Sequence, residues 1–357
     1  MVVDKYRIES HKLHFHVDRV HDWLAGKDIY PIYVEISPSG ACIHQCLYCA
    51  LDFARHPSVF LDKDILKKRL FEMGHLGVKS IMYSGEGEPL MHRHIGQIIL
   101  DTKRAGMDVA LTTNGVLFDK KLCDATLSHF SWIKVSITAG KRTTYAVIHQ
   151  TGPDDFDRVM KNMSYAARLK QSKGLKCALG MQIILLPENH KEVTLLARKA
   201  RDIGMDYLVV KPYSQHPFSK TKKYKNIKYA KYLGLADKLC KFNNHRFSVI
   251  FRVHTMKKWD EARHAYRQCL ALPFWSYIGS TGSVWGCANY QTRKEFYLGN
   301  IYKDTFQKIW RSQRRKAFMA WAKDNLDTRR CRFNCRMDEV NRYLWELMHP
   351  PEHVNFI

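Results

Sequence analysis

The sequence predicts an α/β protein built on a parallel sheet, with a smaller α+β segment towards its C-terminus. β-rich apolar runs alternate with helically spaced segments over the first two thirds of the chain. Glycine and polar residues recur directly after these runs, where parallel strands place functional sites. The rhythm changes after about residue 215, at a lysine-rich segment. A chain of 357 residues suffices for one large domain with a small appendage.

The predicted strands are short apolar runs at residues 31–37, 78–83, 108–113, 132–137, 177–186 and 206–211. The predicted helices between them cover residues 63–74, 94–105, 120–129, 155–171 and 190–203. Further on, residues 229–240 have helical spacing, residues 247–253 are β-rich, and residues 279–286 form a glycine-rich hairpin. Six strand–helix units fit either a partial (β/α) barrel or a doubly wound open sheet, and periodicity alone does not separate these folds.

The net charge of +24 predicts a strong positive field that attracts anions such as phosphates, nucleotides or nucleic acid. Its densest part is a run of six lysines with three interleaved tyrosines. The lysines are Lys220, Lys222, Lys223, Lys225, Lys228 and Lys231, and the tyrosines are Tyr224, Tyr229 and Tyr232. We favour a solvated face over a nucleic-acid site here, because no platform for base stacking is evident.

The sequence also indicates a compartment. No apolar stretch approaches the length of a membrane span, and charged residues occupy the place where a signal peptide needs an apolar core. Ten cysteines without an export signal indicate a reducing compartment and metal binding. We therefore expect a cytoplasmic protein.

Three cysteines close together are the strongest chemical signal. Cys42, Cys46 and Cys49 have the spacing C-x3-C-x2-C. Three thiolates can hold three irons of a [4Fe–4S] cluster and leave the fourth iron free for a ligand. A zinc site is the alternative, with His44 as a fourth ligand, but a ring between two of the cysteines is poorly placed for tetrahedral closure.

With Tyr48 before the last cysteine, this run resembles the signature of the radical S-adenosylmethionine (radical SAM) family. The resemblance implies the barrel rather than the open sheet, so the predicted fold is a partial (β/α)6 TIM-like barrel with a small C-terminal α+β auxiliary-cluster domain. It implies that SAM binds the open iron and yields a 5′-deoxyadenosyl radical that abstracts hydrogen from an unactivated carbon. It also implies an electron donor of the flavodoxin or ferredoxin type.

The same resemblance implies a set of cofactor contacts at the ends of the predicted strands, besides Tyr48. They are Gly85, Glu86, Gly87, Glu88, Pro89, Thr112, Thr113, Asn114, Ser136 and Gln182. Taken singly, each fits an ordinary turn or packing position equally well. Their order relative to the cysteines supports the set.

A second group of cysteines follows the barrel: Cys269, Cys287, Cys331 and Cys335. Four thiolates can hold another [4Fe–4S] cluster, and zinc is the alternative. The segment resembles the SPASM/twitch extension of radical SAM enzymes and, with four candidate ligands, its one-cluster twitch type. The arginines around the last two cysteines are expected either to stabilise the negative charge of a cluster or to form a basic surface. They are Arg329, Arg330, Arg332 and Arg336. Cys123, Cys177 and Cys240 are interpreted as small apolar core residues.

These interpretations give a domain plan. An N-terminal extension covers residues 1–28, the barrel 29–215, a basic connecting segment 216–260, the auxiliary-cluster domain 261–345 and a tail 346–357. Catalytic candidates in the run after the sixth strand are Lys211, Tyr213 and His216, with Gln215 beside them.

Three functions are open at this stage. The favoured one is oxidation or epimerisation of a small polar substrate, namely a sugar, an aminocyclitol or a nucleotide-linked sugar. The positive charge fits a phosphorylated substrate. The second is radical modification of a peptide, and the third is a nucleic-acid-binding protein with structural clusters.

Overall fold

The structure, a computed structural model, describes residues 4–356. One sheet of ten strands forms its centre, in the order β10-β9-β8-β1-β2-β3-β4-β5-β6-β7. The strands are β1 Tyr33–Ile36, β2 Ser80–Tyr83, β3 Asp108–Thr113, β4 Phe130–Ser136, β5 Ala178–Leu185, β6 Tyr207–Pro212, β7 Ser248–Phe251, β8 Trp275–Ile278, β9 Ser283–Trp285 and β10 Tyr297–Asn300.

The strand order decides between the two folds that periodicity left open. Strands β1 to β6 each pair in parallel with the next strand along the chain, and β8 pairs in parallel with β1. A doubly wound sheet needs a point where the order reverses, and these strands have none. Within residues 4–356 no pairing joins β7 to β10. The sheet is therefore a partial barrel that does not close.

The helices are α1 Val17–Leu24, α2 Lys63–His75, α3 Ile95–Arg104, α4 Lys120–Thr126, α5 Arg142–His149, α6 Asp154–Ser172, α7 Val193–Asp202, α8 Leu235–Cys240, α9 Val253–Glu261, α10 Phe306–Trp310, α11 Gln313–Asn325 and α12 Asp338–Met348. Helix α2 begins after Asp62, whose carboxylate accepts from the backbone N–H groups of Asp64 and Ile65. Sequence reasoning did not predict α1, α5 or α9, and the predicted helix 229–240 is a 3-10 turn followed by α8.

Alternation along the strands defines an inner face. In β4, Ile133 and Val135 are fully buried in the main core, whereas Trp132, Lys134 and Ser136 are only partly buried. Successive strand residues point to opposite faces, so the second set faces the lumen of the barrel. Trp132 belongs to a separate apolar cluster formed by Ala178, Tyr207, Val209, Ile250, Tyr6 and Ile8. This cluster, the lumen floor, closes the amino-terminal end of the strands.

The C-terminal segment continues the barrel sheet. Strand β8 pairs with β1, and the hairpin of β8 and β9 adds β10 at the edge. Helix α12 extends past residue 345, where the predicted auxiliary domain ends. The proposed domain boundaries remain a prediction.

The three cysteines outside the two sets differ in burial. Cys240 is exposed, so its interpretation as a core residue is wrong, whereas Cys123 and Cys177 are buried.

The three tyrosines of the lysine-rich segment are buried, and Tyr229 donates a hydrogen bond to the carbonyl of Leu185. They anchor the segment, as the solvated-face interpretation requires. Among the described residues, no helix is long and apolar enough to cross a membrane.

Candidate functional site

The loop after β1, here called the cluster loop (residues 38–51), carries the three closely spaced cysteines. Cys42, Cys46 and Cys49 are all half-buried free thiols. The loop is fixed from two sides. The backbone N–H of Glu88 donates to the carbonyl of Ala41 at 2.7 Å, and that of Leu47 donates to the carbonyl of Ile148 at 2.9 Å. The thiols thus stand on a loop tied to both the β2 end and α5.

His149, the last residue of α5, contacts the cluster loop directly. Its Nδ1 lies 3.4 Å from Cys46 Sγ, and its Nε2 lies 3.1 Å from the backbone N–H of Thr138. Burial, together with the neighbouring His44, holds the pKa of His149 well below its usual value, so the ring is neutral. Because Nε2 accepts from Thr138, Nδ1 carries the proton and donates to the Cys46 sulfur. Tyr48 also reaches this ring, with its OH 3.5 Å from Nε2.

His44 bears on the zinc alternative. Ligand atoms of His44, Cys46 and His149 lie within 4.8 Å of one another, a grouping that could hold a metal ion. However, His44 Nε2 lies 3.1 Å from Asp155 Oδ2, and His149 already bonds on both nitrogens. Such a site would use only one of the three cysteines.

The glycines after β2 are required by close packing against the cluster loop. A methyl group on Gly87 would lie 2.2 Å from the carbonyl oxygen of Ala41, and one on Gly85 would lie 2.4 Å from Ser37 Cβ. Gly85 also has φ +116°, a conformation that favours glycine. The family resemblance implies that these glycines contact the cofactor, and in the structure they also allow close approach of the cluster loop and of Ser37 just before it.

The two glutamates of the same motif have different partners. Glu86 accepts from Ser280 Oγ at 2.5 Å and so joins the β2 end to the β8–β9 hairpin. Glu88 accepts from Thr113 Oγ1 at 2.5 Å and from the backbone N–H of Asn114 at 2.8 Å, which joins β2 to β3. Burial raises the pKa of Glu88 to about 7, opposed by these hydrogen bonds. Pro89 is buried and opens the 3-10 turn that follows.

The other predicted cofactor contacts converge on the carboxyl ends of β3, β4 and β5. Ser136 and Gln182 are cross-strand neighbours on the lumen face. Thr112 Oγ1 lies 3.7 Å from Met82 Sδ. The Nδ2 of Asn114 and the Oγ1 of Thr138 are buried without a hydrogen-bond partner within residues 4–356. Orphaned buried polar atoms of this kind point to a bound polar group.

The second set of cysteines also converges. Burial raises the pKa of Cys269 to about 12, and the nearby thiols of Cys335 and Cys331 add to the shift. Burial likewise raises the pKa of Cys287 far above its usual value, with Cys335 and Cys269 contributing next. Tyr290 OH lies 3.3 Å from Cys331 Sγ. The charges of these thiols therefore act on one another, so the four cysteines lie in one neighbourhood of the fold.

The four arginines near these cysteines divide into two pairs. Arg329 and Arg330 are largely exposed and pair with Asp327, as expected for a basic surface. Arg332 donates to Ser214 Oγ at 2.8 Å, and Arg336 forms an ion pair with Glu35 on β1. The second pair thus links the auxiliary cysteine segment to the barrel.

Positive charge collects in the lumen above its floor. Lys134, Lys211 and Arg252 each follow a floor residue by two positions, namely Trp132, Val209 and Ile250, and so share the lumen face. Arg332 and Arg336 approach from the C-terminal segment. We call these five side chains the lumen cations. Burial, then the positive charges of Arg336 and Arg252, lower the pKa of Lys134 to about 7.

The catalytic candidates differ in their surroundings. Lys211 is a lumen cation, and burial followed by the charge of Lys134 holds its pKa well below the usual value. Tyr213 is buried and donates to Gln215 Oε1 at 3.2 Å. His216 is buried against Phe53, its Nδ1 accepts from the backbone N–H of Phe218, and its Nε2 has no partner within residues 4–356. Lys134, Arg252 and His149 were missed, although a lysine between Ile133 and Val135 was a usable signal.

Comparison with known families decides the nature of the site. The Radical SAM superfamily profile matches residues 36–200, and the SPASM profile, an iron–sulfur cluster-binding domain, matches residues 269–336. The chain contains a radical SAM domain and a C-terminal SPASM domain. These domains imply [4Fe–4S] clusters and SAM as cofactors, and SAM is bound in structural neighbours. The matched ranges contain the cluster loop and the four later cysteines.

Two curated sequence relatives are named as GTP 3′,8-cyclases. GTP 3′,8-cyclase of Chlorobaculum tepidum is 28% identical over 193 residues, which are 53% of this chain and 56% of that protein. A probable GTP 3′,8-cyclase of Saccharolobus islandicus is 26% identical over 174 residues, 48% of this chain and 54% of the relative. The chain thus spans about half the length of the curated relatives it matches.

Two solved structures with the same fold contain bound peptides. Streptococcus suis SuiB bound to precursor peptide SuiA has a TM-score of 0.64 at 17% identity, covering 84% of this chain and 69% of SuiB. The enzyme anSMEcpe with AdoMet and the Cp18Cys peptide has a TM-score of 0.59 at 18% identity, covering 87% of this chain and 90% of the other. At these identities the likeness establishes the fold.

The residues fit the cofactors that the two domains imply. In the radical SAM domain, three half-buried thiols lie on one loop. The Asn114 amide and the Thr138 hydroxyl, which have no partner among the described residues, follow the carboxyl ends of β3 and β4. In the SPASM domain, four interacting thiols form a full cysteine ligand set. Cluster binding would convert all seven from thiols to thiolates and release protons.

The His149 contact gives a prediction about the cluster of the radical SAM domain. Replacing His149 with Phe removes an N–H donor to the Cys46 sulfur while keeping an aromatic ring against Tyr145, which stacks on His149 at 4.0 Å. Hydrogen bonds to cluster sulfurs raise the reduction potential, so we expect a more negative midpoint in an EPR-monitored redox titration. His149→Gln, which retains a donor, should shift the midpoint less. An unchanged midpoint in His149→Phe would show that the contact does not tune the cluster.

Proposed function

We propose that this radical SAM enzyme oxidises or epimerises a small phosphorylated substrate of the nucleotide or nucleotide-linked sugar class. The lumen cations carry the proposal. Five basic side chains lie there, and Arg336 is already paired with Glu35. The acidic residues whose charges act on Arg252 are Glu9, Glu339, Asp4 and Asp338. The Nε of Arg252 is buried without a partner among the described residues. A phosphate group would supply the missing acceptors and charge.

The chain's own residues support three tasks in this reaction. The lumen cations bind and orient the phosphates, and the lumen floor excludes water from below. When bound, the cluster and SAM of the radical SAM domain supply hydrogen abstraction, and the auxiliary centre supplies a one-electron acceptor. Burial and the charge of Lys134 hold the pKa of Lys211 well below its usual value, and in its neutral form this amine can accept a proton from a substrate hydroxyl. An oxidative outcome and a one-cluster, twitch-type auxiliary domain are parts of this proposal.

The relatives support the substrate class. Both named relatives carry GTP in their names. The ten cysteines are free thiols, which fits the cytoplasm as the proposed location. A peptide substrate is the second candidate, because SuiB and anSMEcpe are seen with peptides.

Binding measurements separate the two classes. Isothermal titration with pyrophosphate, GTP and UDP-glucose tests for a phosphate site, and we expect all three to bind. Lys134→Gln and Arg252→Gln should each weaken binding roughly 10- to 100-fold, as expected for loss of one charge-assisted hydrogen bond. Because Lys134 has a pKa of about 7, its contribution should fall as the pH rises through that value.

The control is Lys173→Gln, an exposed lysine just beyond α6 that lies outside the lumen. It should leave all three affinities unchanged. Failure of every phosphate compound to bind, or equal weakening by the control, would contradict the proposal and favour the peptide candidate.

A further inference from the structure

The chain just beyond Cys49 brings the cluster loop to the protein surface. A 3-10 turn, Asp52–Ala54, is followed by Arg55 and His56, whose φ values are +59° and +44°. His56 Nε2 lies 3.7 Å from Cys49 Sγ, and His56 is half-buried while Arg55 is exposed. The half-buried Cys49 and its neighbour His56 therefore lie near the protein surface.

Asp52 fixes the start of the lysine-rich segment at the same place. Its carboxylate accepts from the backbone N–H groups of Lys220 at 2.8 Å and Thr221 at 2.7 Å, and from Ser219 Oγ at 3.2 Å. Ser219 Oγ also lies 3.3 Å from the carbonyl oxygen of Cys49. The lysine-rich segment is thereby held against the cluster loop.

The resulting surface is cationic with an apolar margin. Lys220 and Lys222 are exposed, as is Arg55. Asp52, the nearest acid, is occupied by backbone donors, and Lys222 Nζ donates to the carbonyl of Ser219. Two large apolar side chains on the same stretch of chain, Val59 and Phe60, are 37% and 39% exposed. We call Arg55, His56, Lys220 and Lys222 the cluster rim.

We propose that the cluster rim is the docking site for an acidic one-electron carrier protein that reduces the cluster of the radical SAM domain. One electron leaves the carrier, which is oxidised, and enters the cluster, which is reduced; no proton or group is transferred. Short-lived redox complexes use small interfaces, and complementary charge raises their association rate. The cluster rim is small and lies next to a cluster ligand, and its cations have no acidic partner among the described residues. It therefore meets both requirements. The inference does not depend on the identity of the substrate.

The test compares two reductants on the reconstituted holoenzyme without substrate. Stopped-flow absorbance follows reduction of the clusters by reduced flavodoxin, an acidic carrier, and by dithionite, a small reductant that needs no docking surface. Arg55→Glu/Lys220→Glu should slow reduction by flavodoxin about 10-fold or more at low ionic strength and reduce its dependence on salt. Reduction by dithionite should be unchanged.

A matched control makes the same charge change elsewhere. Lys173 and Lys176 are exposed and lie between α6 and β5, at the opposite end of the barrel strands. Lys173→Glu/Lys176→Glu should change the rate with flavodoxin by less than about 2-fold, because charges beyond the Debye length are largely screened.

An equilibrium binding measurement keeps the test decisive even if the substitutions damage the cluster loop. Fluorescence anisotropy of labelled, oxidised flavodoxin should show weaker binding to the rim variant than to the wild type or the control variant, whatever the rate with dithionite. Equal binding by all three proteins overturns the proposal. So does tight binding of a single-stranded oligonucleotide at the rim without binding of flavodoxin, since this would identify a nucleic-acid surface.

Discussion

Replacing Cys42, Cys46 and Cys49 together with alanine is expected to abolish formation of 5′-deoxyadenosine from SAM and to remove about four of about eight irons per chain. The effect is expected to be large because these three residues are all the cysteines that the cluster loop contains. The four later cysteines form a separate set around the β8–β9 hairpin and the start of α12, so their irons should remain. Anaerobic iron and sulfide analysis, with chromatography of the SAM products, checks both parts.

Cys123→Ala/Cys177→Ala is the matched control, since both residues are buried free thiols in the core, remote from either cysteine set. It should keep the full iron content and the cleavage of SAM. About twelve irons in the wild type would instead indicate two auxiliary clusters and would contradict the one-cluster interpretation. Retention of all iron in the triple variant would show that the cluster loop is not a cluster site.

Replacing Asp338 with alanine is expected to destabilise the protein by about 3 kcal/mol, because it breaks the buried ion pair with Lys258, which then keeps only its second partner, Glu339. Asp338 begins α12 and is nearly fully buried. Its carboxylate accepts from Lys258 Nζ at 2.5 Å, from Tyr266 OH at 3.0 Å and from Arg342 Nε at 3.0 Å. Urea unfolding of variant and wild type with equal iron content measures the loss.

The same network predicts a pH dependence. Burial alone would raise the pKa of Asp338, but hydrogen bonds from His264 and Lys258 lower it further than burial raises it. A depressed carboxyl pKa stabilises the native state above the unfolded value of about 4, and this stabilisation is lost as the pH falls through the native pKa. The variant should therefore lose the most stability relative to wild type near neutral pH, with the difference shrinking in acid.

Asp327→Ala provides the comparison, because this aspartate pairs with the exposed arginines Arg329 and Arg330 at the surface. Exposed ion pairs contribute little, so its unfolding midpoint should stay close to that of the wild type. A similar loss in both variants would show that burial of Asp338 is not what makes it important.

The parts of this molecule that could be predicted from sequence are those that a local pattern encodes. The parallel strands were found because runs such as Asp108–Thr113 are buried on the helix side and end in polar residues. The cysteine spacing of the cluster loop indicated a cluster site, and the matched radical SAM domain contains it. Within the barrel the strands lie in the order in which they occur along the chain, since each of β1 to β6 pairs with its successor.

What could not be predicted depends on contacts between distant segments. Helix α5 begins Arg142-Thr143-Thr144, a weak helical signal, and His149 reaches Cys46 only because the helix docks on the cluster loop. The different roles of Glu86 and Glu88 follow from the hairpin and from β3, which lie 194 and 25 residues away. The lumen cations come from three strands and a C-terminal loop, and only the folded barrel brings them together.

The segment from Cys331 to Arg336 belongs to two centres at once. Cys331 and Cys335 face the auxiliary thiols, whereas Arg332 and Arg336, interspersed between and after them, reach Ser214 and Glu35 in the barrel. On the function proposed above, a shift of this short peptide that adapted the lumen to a new substrate would also displace two of the auxiliary thiols, and a change around those thiols would move two of the lumen cations. We therefore expect that, in engineered libraries, productive changes to substrate specificity and to redox properties arise as coupled substitutions within these six positions.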